Sequence, residues 1–145
     1  DGGAATVFDD YGHHPTEIEM TLKALRSSEL PKRLICVFQP HQHSRTRFLL
    51  DQFAQSFSSA DEIIVPHIYF VRDSEAEQQR VSAQDLVDKL DAQGLDAKHI
   101  NNFDDIVLHL QENALDGDLI VIMGAGPVTS IAHALVGNAK MPSSK

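Results

Sequence analysis

The sequence is poor in cysteine and tryptophan, and the shortage of cysteine excludes a disulfide-built protein. Its 145 residues include a single cysteine and no tryptophan. Cys36 cannot form a disulfide within the chain, and its apolar surroundings, RLICVFQ, are typical of a packed core thiol in a reducing compartment. We therefore predict a cytoplasmic protein.

Positive charge and long apolar runs are also scarce. The net charge is −9, so a phosphate backbone would be repelled unless basic side chains were collected on one surface. No apolar run approaches the ~20 residues that a membrane-spanning helix needs. We expect neither a nucleic-acid nor a membrane partner. Hydrophobic residues at 42% and charged residues at 23% are instead typical of a globular domain with a real core.

Short apolar runs alternate with amphipathic segments along the chain. The apolar runs predict strands at 5–10, 33–39, 61–67, 97–100 and 118–124. The segments with an apolar stripe at helical spacing predict helices at 15–28, 45–58, 82–93, 103–115 and 128–136. This alternation predicts a Rossmann-like, three-layer α/β domain, in which a mainly parallel sheet of five to six strands has helices on both faces.

Gly137 is expected to end the last helix, so that the domain covers 1–137 and residues 138–145 form a flexible tail. Both ends of the chain look cut, and we expect it to be a piece of a longer protein. The irregular stretch 66–80 is longer than most links between a strand and a helix, which predicts a functional loop.

Four predicted loops hold most of the chemically reactive side chains. They read DYGHHP (10–15), PHQHSRTR (40–47), PHIYFVRD (66–73) and GAGPVT (124–129). In sheets of this kind, ligands bind beyond the carboxyl ends of the strands, where these loops should meet. The loops contain five of the eight histidines: His13, His14, His41, His43 and His67.

Two arginines occupy an unfavourable place in the sequence. If a helix starts near Ser44, Arg45 and Arg47 lie in its first turn, where the helix dipole makes each cation cost about 0.3–1 kcal/mol. An acidic protein that places arginines there is expected to hold an anion between free backbone N–H groups and guanidinium groups. The alternative is that both arginines point to solvent or pair with nearby acids.

Two further motifs allow both a structural and a functional interpretation. The spacing of His41 and His43 matches no standard metal pattern, so we predict no metal site and favour hydrogen bonding to a substrate. The glycines of GAG, at 124 and 126, let the backbone approach a ligand closely, but close packing of strand and helix would explain them equally well.

Acidic residues surround the first loop. One of Asp9 and Asp10 could bond loop N–H groups, and the other could reach a ligand hydroxyl, such as that of a ribose. Glu17, three residues after His14, could complete a capping box, a structural role at least as plausible as catalysis.

Three of these segments resemble motifs of the Mur ligase C-terminal domain. The stretch DDYGHHPTEI resembles the opening of that domain, VFQPHQHSRTRFLLDQF its second motif and IVIMGAGPVTSIA its closing glycine motif. The resemblance covers nearly all of 5–136, and Tyr11–Gly12 points to the member that adds L-alanine. It implies an ATP-dependent ligase that joins L-alanine to UDP-N-acetylmuramate through an acyl phosphate in peptidoglycan synthesis.

The resemblance also implies roles for individual residues. The L-alanine site would be formed by Tyr11, His13, His41, Arg45, Arg47, Gly124, Ala125 and Gly126. Either His13 or His41 would be catalytic, accepting a proton from the amine or orienting it. ATP would be contacted by Asp10, His14, Pro15 and Thr16, with Mg²⁺ and most of the ATP held by a central domain.

The sequence departs from the family pattern in two ways. Gln42 stands where arginine is common in the family, so one anion contact is missing or is supplied by His43. No GxxxxGK[ST] phosphate loop occurs, so the central ATPase domain and the N-terminal UDP-sugar domain are absent from this chain. L-Alanine, ATP and UDP-N-acetylmuramate would then be partners through the other domains of a parent chain, and the isolated domain is expected to be inactive.

Two other functions remain as alternatives. One is a stand-alone α/β module that senses a small anion, a nucleotide or an amino acid. The other is a flavodoxin-like or receiver-like signalling domain. A receiver needs a lysine at the end of a late strand, whereas the last strand here ends in MGAG, which counts against that alternative.

Overall fold

A five-stranded sheet forms the centre of the computed structural model, which describes residues 5–139. The strands are β1 (Thr6–Asp10), β2 (Arg33–Phe38), β3 (Glu62–Val65), β4 (Ala97–His99) and β5 (Asp118–Met123). They lie in the order β1-β5-β2-β3-β4, and every pairing between these strands is parallel. The predicted parallel α/β sheet is confirmed.

The central strands carry the most continuous apolar sequences. All six residues of β5, which lies between β1 and β2, are buried, and so are all four residues of β3. Strands of a parallel sheet are covered on both faces, which is why their sequences do not alternate between apolar and polar residues.

Seven helices lie within the described residues: α1 (Pro15–Glu29), α2 (His43–Phe48), α3 (Leu50–Ala54), α4 (Glu75–Gln78), α5 (Ala83–Ala92), α6 (Phe103–Asn113) and α7 (Thr129–Ala139). The apolar stripes of α1, α3 and α5 pack into one core cluster. Those of α6 and α7 pack into a second cluster, which contains alternate residues of the same strands. Helices therefore lie on both faces, as predicted.

Three elements differ from the sequence-based prediction. In place of the single helix expected at 45–58, the structure has two short helices. The first begins at His43 and the second at Leu50, with Leu49 between them. The strand expected at 61–67 ends at Val65, because Pro66 has no N–H group to continue the ladder. The long loop 66–80 contains the short helix α4, whose N-cap is Ser74.

Helix α7 continues through Gly137 to Ala139, so the prediction that Gly137 ends this helix is wrong. A glycine inside a helix costs only about 1 kcal/mol relative to alanine, which neighbouring residues can offset. The predicted tail at 138–145 falls mostly outside the described residues. Within 5–139, no helix is both long enough and apolar enough to cross a membrane.

Candidate functional site

The ends of three strands bring three of the predicted loops together. Asp10 and Phe38, the last residues of β1 and β2, both pair in register with Met123 at the end of β5. Backbone hydrogen bonds continue past the strands: Gly124 N–H donates to Asp10 O at 3.1 Å, and Gln39 N–H donates to Met123 O at 3.1 Å. The loops that follow β1, β2 and β5 therefore start side by side, as the sequence predicted.

His13 and His41 meet at this edge. The centres of their rings are 6.3 Å apart, and the ring of Tyr69 lies 5.5 Å from that of His41. The Nδ1 atom of His13 lies 3.2 Å from the carbonyl oxygen of Tyr11. Because a carbonyl oxygen only accepts hydrogen bonds, Nδ1 carries the proton in neutral His13 and Nε2 is left as an acceptor.

The environment of His41 favours its neutral form. Burial is the main cause that lowers the pKa of His41, and electrostatic interactions with His13, Arg72 and Arg45 lower it further. The carboxylate of Asp73 acts in the opposite direction but does not outweigh them. His41 is therefore an uncharged imidazole at neutral pH, able to accept a proton.

Arg45 has a buried donor without a partner. Its Nε atom is inaccessible to solvent and makes no hydrogen bond to any residue in the described part of the chain. Leaving such a donor unsatisfied costs about 1–3 kcal/mol, so buried donors nearly always have a partner. Arg45 is thus the residue at this edge that is most in need of an external acceptor.

Arg47, unlike Arg45, has its donors paired within the protein. Its Nε and terminal nitrogen donate to the two carboxylate oxygens of Glu77, at 3.0 and 3.1 Å. This is the bidentate pairing that guanidinium and carboxylate groups favour. The geometry therefore gives no support to the prediction that Arg47 contacts the substrate, and it favours the alternative of pairing with a nearby acid.

The backbone N–H groups at the start of α2 are also occupied, contrary to the expectation that an external anion would bind them. The carboxylate of Asp73 accepts from the N–H of His43 at 2.5 Å and from the N–H of Ser44 at 3.3 Å. Nδ1 of His43 lies 3.0 Å from the same carboxylate. Burial alone would raise the pKa of Asp73, but these bonds outweigh it and hold the pKa below its usual value.

Asp73 was not identified from the sequence. It lies thirty residues after His43, in the long loop 66–80. The unusual length of that loop was the only signal, and it could not indicate which side chain would turn back to α2.

The two aspartates of the first loop both have partners inside the protein. Asp10 Oδ1 accepts the N–H of Gly12 at 2.6 Å, which closes the turn after β1. The carboxylate of Asp9 accepts the hydroxyl of Thr129. Asp10 thus makes the predicted bond to a loop N–H group, Asp9 bonds a side-chain hydroxyl of the protein instead, and the predicted ATP contact of Asp10 gains no support from the geometry.

His14 and Glu17 form the capping box that begins α1. Nδ1 of His14 accepts the N–H of Thr16 at 3.2 Å, while Oε1 of Glu17 accepts the N–H groups of His13 and His14 at 3.1 and 3.2 Å. The bond from His13 N–H is the main cause that lowers the pKa of Glu17. The structural role predicted for Glu17 is confirmed.

The first loop separates two concave surfaces. On one side, Tyr11 and His13 line a cavity of about 430 Å³, and the side chain of Tyr11 is 75% exposed. On the other side, His14, Pro15 and Thr16 line a groove of about 210 Å³ against Gln52, Gln55 and Ser56. Tyr11 and His13 thus line a different concave surface from His14, Pro15 and Thr16, whereas Asp10, also predicted to contact ATP, lines the cavity of Tyr11 and His13.

The glycine loop packs closely against the rest of the site. A Cβ atom on Gly126 would lie 2.7 Å from Cδ2 of Tyr69, and one on Gly124 would lie 2.8 Å from Cγ1 of Val128. Close packing is therefore a sufficient reason for both glycines. The loop 124–126 packs against Tyr69, and the ring of Tyr69 in turn lies 5.5 Å from that of His41, so the loop helps to hold His41 in position.

Among residues 5–139, no group of three or more His, Cys, Asp or Glu side chains is placed to hold a metal ion. His43, one of the two histidines considered as a ligand, is turned to Asp73.

The chain matches one protein-family model and is similar in sequence to several known proteins. The family model described as "Mur ligase, glutamate ligase domain" matches residues 1–126, which confirms the resemblance carried by the motifs. The UDP-N-acetylmuramate–L-alanine ligase of Caldanaerobacter subterraneus subsp. tengcongensis is 46% identical over 128 residues, 88% of this chain and 27% of that protein. The ligase of the same name from Clostridium botulinum strain Langeland is 47% identical over 131 residues, 90% of this chain and 28% of that protein.

The chain therefore spans little more than a quarter of the length of the curated relatives it matches. Among solved structures, UDP-N-acetylmuramate-alanine ligase MurC from Thermotoga maritima has the same fold, with a TM-score of 0.73. The match covers 97% of this chain and 28% of that one at 20% identity, and an identity this low shows the shared fold alone.

Proposed function

The chain belongs to the Mur ligase, glutamate ligase domain family, and from this premise we propose that it is the C-terminal domain of an ATP-dependent ligase. This ligase joins L-alanine to UDP-N-acetylmuramate in peptidoglycan synthesis, in keeping with the names of its relatives. The observation that carries the proposal is the buried Nε of Arg45, which lacks a hydrogen-bond partner among the described residues. Such a donor requires an acceptor, and the carboxylate of an amino acid provides one.

Arg45 binds the carboxylate of L-alanine in this proposal. His41 lies four residues before it, just ahead of α2, and His13 faces His41 across a ring separation of 6.3 Å. The amine of the bound amino acid is directed to these imidazoles, and Tyr11 and the loop 124–126 enclose it. Tyr11 supports this role because it is largely exposed in the cavity beside His13.

The reaction proceeds through an acyl phosphate of the lactyl carboxylate of UDP-N-acetylmuramate. The neutral amine of L-alanine attacks the acyl carbon and gives a proton to His41 as its nitrogen becomes positively charged. The new C–N bond forms, the bond from carbon to the phosphate oxygen breaks, and inorganic phosphate leaves with the electron pair. The lowered pKa of His41 supports its role as proton acceptor, because the imidazole is neutral before the reaction.

ATP supplies the phosphoryl group that activates the carboxylate. His14, Pro15 and Thr16 contact its nucleoside part, and the amides of Gln52 and Gln55 in the same groove can hydrogen-bond a ribose or a base. A groove of about 210 Å³ is smaller than the ~300–1,000 Å³ of typical ligand sites, which suits one wall of a site completed by another domain. The described residues contain no cluster that fits Mg²⁺, so we assign the metal to other parts of the ligase.

The isolated chain does not catalyse ligation in this proposal. Its amino-acid and nucleotide surfaces are open, and the UDP-sugar and most of the ATP bind elsewhere in the parent enzyme. Closure of a second domain over these surfaces excludes water, which would otherwise hydrolyse the acyl phosphate. The buried thiol of Cys36 is compatible with the reducing cytoplasm in which we place the enzyme.

The test is phosphate release by the full-length ligase that contains this chain, with ATP, UDP-N-acetylmuramate and one amino acid at a time. We expect L-alanine to support the highest kcat/KM, and omission of the amino acid to abolish net phosphate release. Calorimetry with the 145-residue chain alone should detect weak binding of L-alanine and ATP or none. Tight binding by the chain alone, or no alanine-dependent turnover by the full ligase, would favour a sensor module instead.

A further inference from the structure

The loop 66–80, which we call the strap, is bonded to the loop that carries His41. Tyr69 N–H donates to Pro40 O at 2.9 Å, and Gln42 N–H donates to Tyr69 O at 2.9 Å. The strap therefore pairs with the residues on both sides of His41, in the manner of a short parallel bridge. The position of His41 depends on the strap as well as on β2.

The strap is attached to α2 through Asp73. The carboxylate of Asp73 has no exposed surface and takes four polar contacts. Two come from backbone N–H groups, those of His43 at 2.5 Å and Ser44 at 3.3 Å. The other two come from Nδ1 of His43 at 3.0 Å and the hydroxyl of Ser44 at 3.4 Å. The carboxylate of Asp73 thus accepts the hydrogen bonds of two backbone N–H groups in the first turn of α2, the helix that carries Arg45.

The backbone on either side of this attachment is strained. Gln42 has a φ of 71° and Arg72 a φ of 48°, in the left-handed region that non-glycine residues rarely adopt. Such conformations persist only where the surrounding contacts determine them. Gln42 and Arg72 directly precede His43 and Asp73, so the bonds of Asp73 to His43 hold the two strained residues in place.

We propose that Asp73 is a positioning residue for the amino-acid site. Its carboxylate fixes the first turn of α2, which places Arg45, and it fixes the turn at Gln42, which places His41. The side chain of Asp73 has no exposed surface, so in this proposal it acts only through these residues. This inference rests on the proposed function, because it assigns Arg45 and His41 to the binding of L-alanine.

The test compares variants of the full-length ligase. Asp73→Asn keeps the shape of the side chain but removes the charge and one acceptor oxygen. We expect the KM for L-alanine to rise roughly tenfold, with the KM values for ATP and UDP-N-acetylmuramate unchanged within about twofold. Asp73→Glu keeps the charge at a displaced position and should raise the KM for L-alanine less, by roughly threefold. The matched control is Glu77→Gln, which removes another carboxylate that joins the strap to α2 and should leave all three KM values unchanged.

A merely structural role predicts a different result. An unchanged KM for L-alanine in Asp73→Asn, or a parallel loss for all three substrates together with a lower Tm, would overturn the inference. If Asp73→Asn does not fold, the selective effect of Asp73→Glu on L-alanine decides. The unsubstituted ligase separates the two proposals, because a lack of alanine-dependent turnover there refutes the proposed function and this inference with it.

Discussion

Tyr69 and Gly126 touch across the candidate site, since a Cβ atom on Gly126 would lie only 2.7 Å from Cδ2 and 3.2 Å from Cγ of the tyrosine. The Tyr69 ring in turn lies 5.5 Å from the ring of His41. A methyl group at Gly126 must therefore displace Tyr69 and disturb the support of His41.

We expect Gly126→Ala to raise the KM for L-alanine roughly threefold to tenfold in the full-length ligase, with little change in Tm. Gly94→Ala is a suitable control, because Gly94 has a φ of +86° and no neighbour within 4 Å of an added Cβ. The control should lose about 1–2 kcal/mol of unfolding free energy from backbone strain and keep its KM. Equal KM values for Gly126→Ala and the unsubstituted enzyme would show that Tyr69 adjusts without affecting the site.

Arg45 and Arg47 are expected to respond differently to truncation. Arg45→Ala removes the charge-assisted contact with the amino-acid carboxylate, so the KM for L-alanine should rise about 10- to 100-fold. Arg47→Ala breaks only the exposed pair with Glu77 and should leave the KM within about twofold. Steady-state kinetics and circular dichroism on both variants make the comparison. A larger effect at Arg47 than at Arg45 would reverse our assignment.

The pH dependence of the reaction should reflect His41. Its pKa is lowered from the ordinary value of 6.5, chiefly by burial. The imidazole is therefore neutral at pH 7 and gains a proton only at a pH below 6.5. Since the proton-accepting form is lost as the pH falls through this lowered pKa, kcat/KM for L-alanine should fall on the acid side.

His41→Gln should reduce kcat and remove this acid limb, because glutamine does not titrate. His133→Gln changes an exposed histidine on α7 and should leave the pH profile unaltered. If the acid limb persists in His41→Gln, another group accepts the proton, and His13 becomes the first candidate to replace.

His14 has a structural role and a proposed ligand role that two substitutions can separate. His14→Ala removes the cap of α1, and we expect it to cost about 1 kcal/mol of stability. His14→Asn supplies a good N-cap but no imidazole, so the Tm should be retained. If His14 contacts the nucleotide, both variants raise the KM for ATP and neither changes the KM for L-alanine. If the KM for ATP is unchanged in both variants, His14 acts only as the N-cap of α1 and does not contact the nucleotide.

Local patterns in the sequence were sufficient for the five strands and for most of the helices, but not for α4 or for the division between α2 and α3. Continuous apolar runs such as DLIVIM predicted the buried strand β5, because a strand covered on both faces has no polar side. Pro15 and Glu17 predicted the start of α1 through chemistry that acts within one helical turn. The meeting of the loops after β1, β2 and β5 followed from parallel topology, which places the carboxyl ends of strands at one edge.

Tertiary structure decided which of the predicted groups remain available. Arg45 and Arg47 lie two residues apart on one short helix, and the sequence assigned both to the same anion. Glu77, thirty residues further along the chain, pairs with Arg47 and not with Arg45. Likewise, Asp73 occupies the N–H groups of α2 that the helix dipole argument had left for a ligand. The periodicity of helices and strands depends on residues that are neighbours in the sequence. The pairing of charges depends on which distant loops lie next to each other, and only the folded chain determines that.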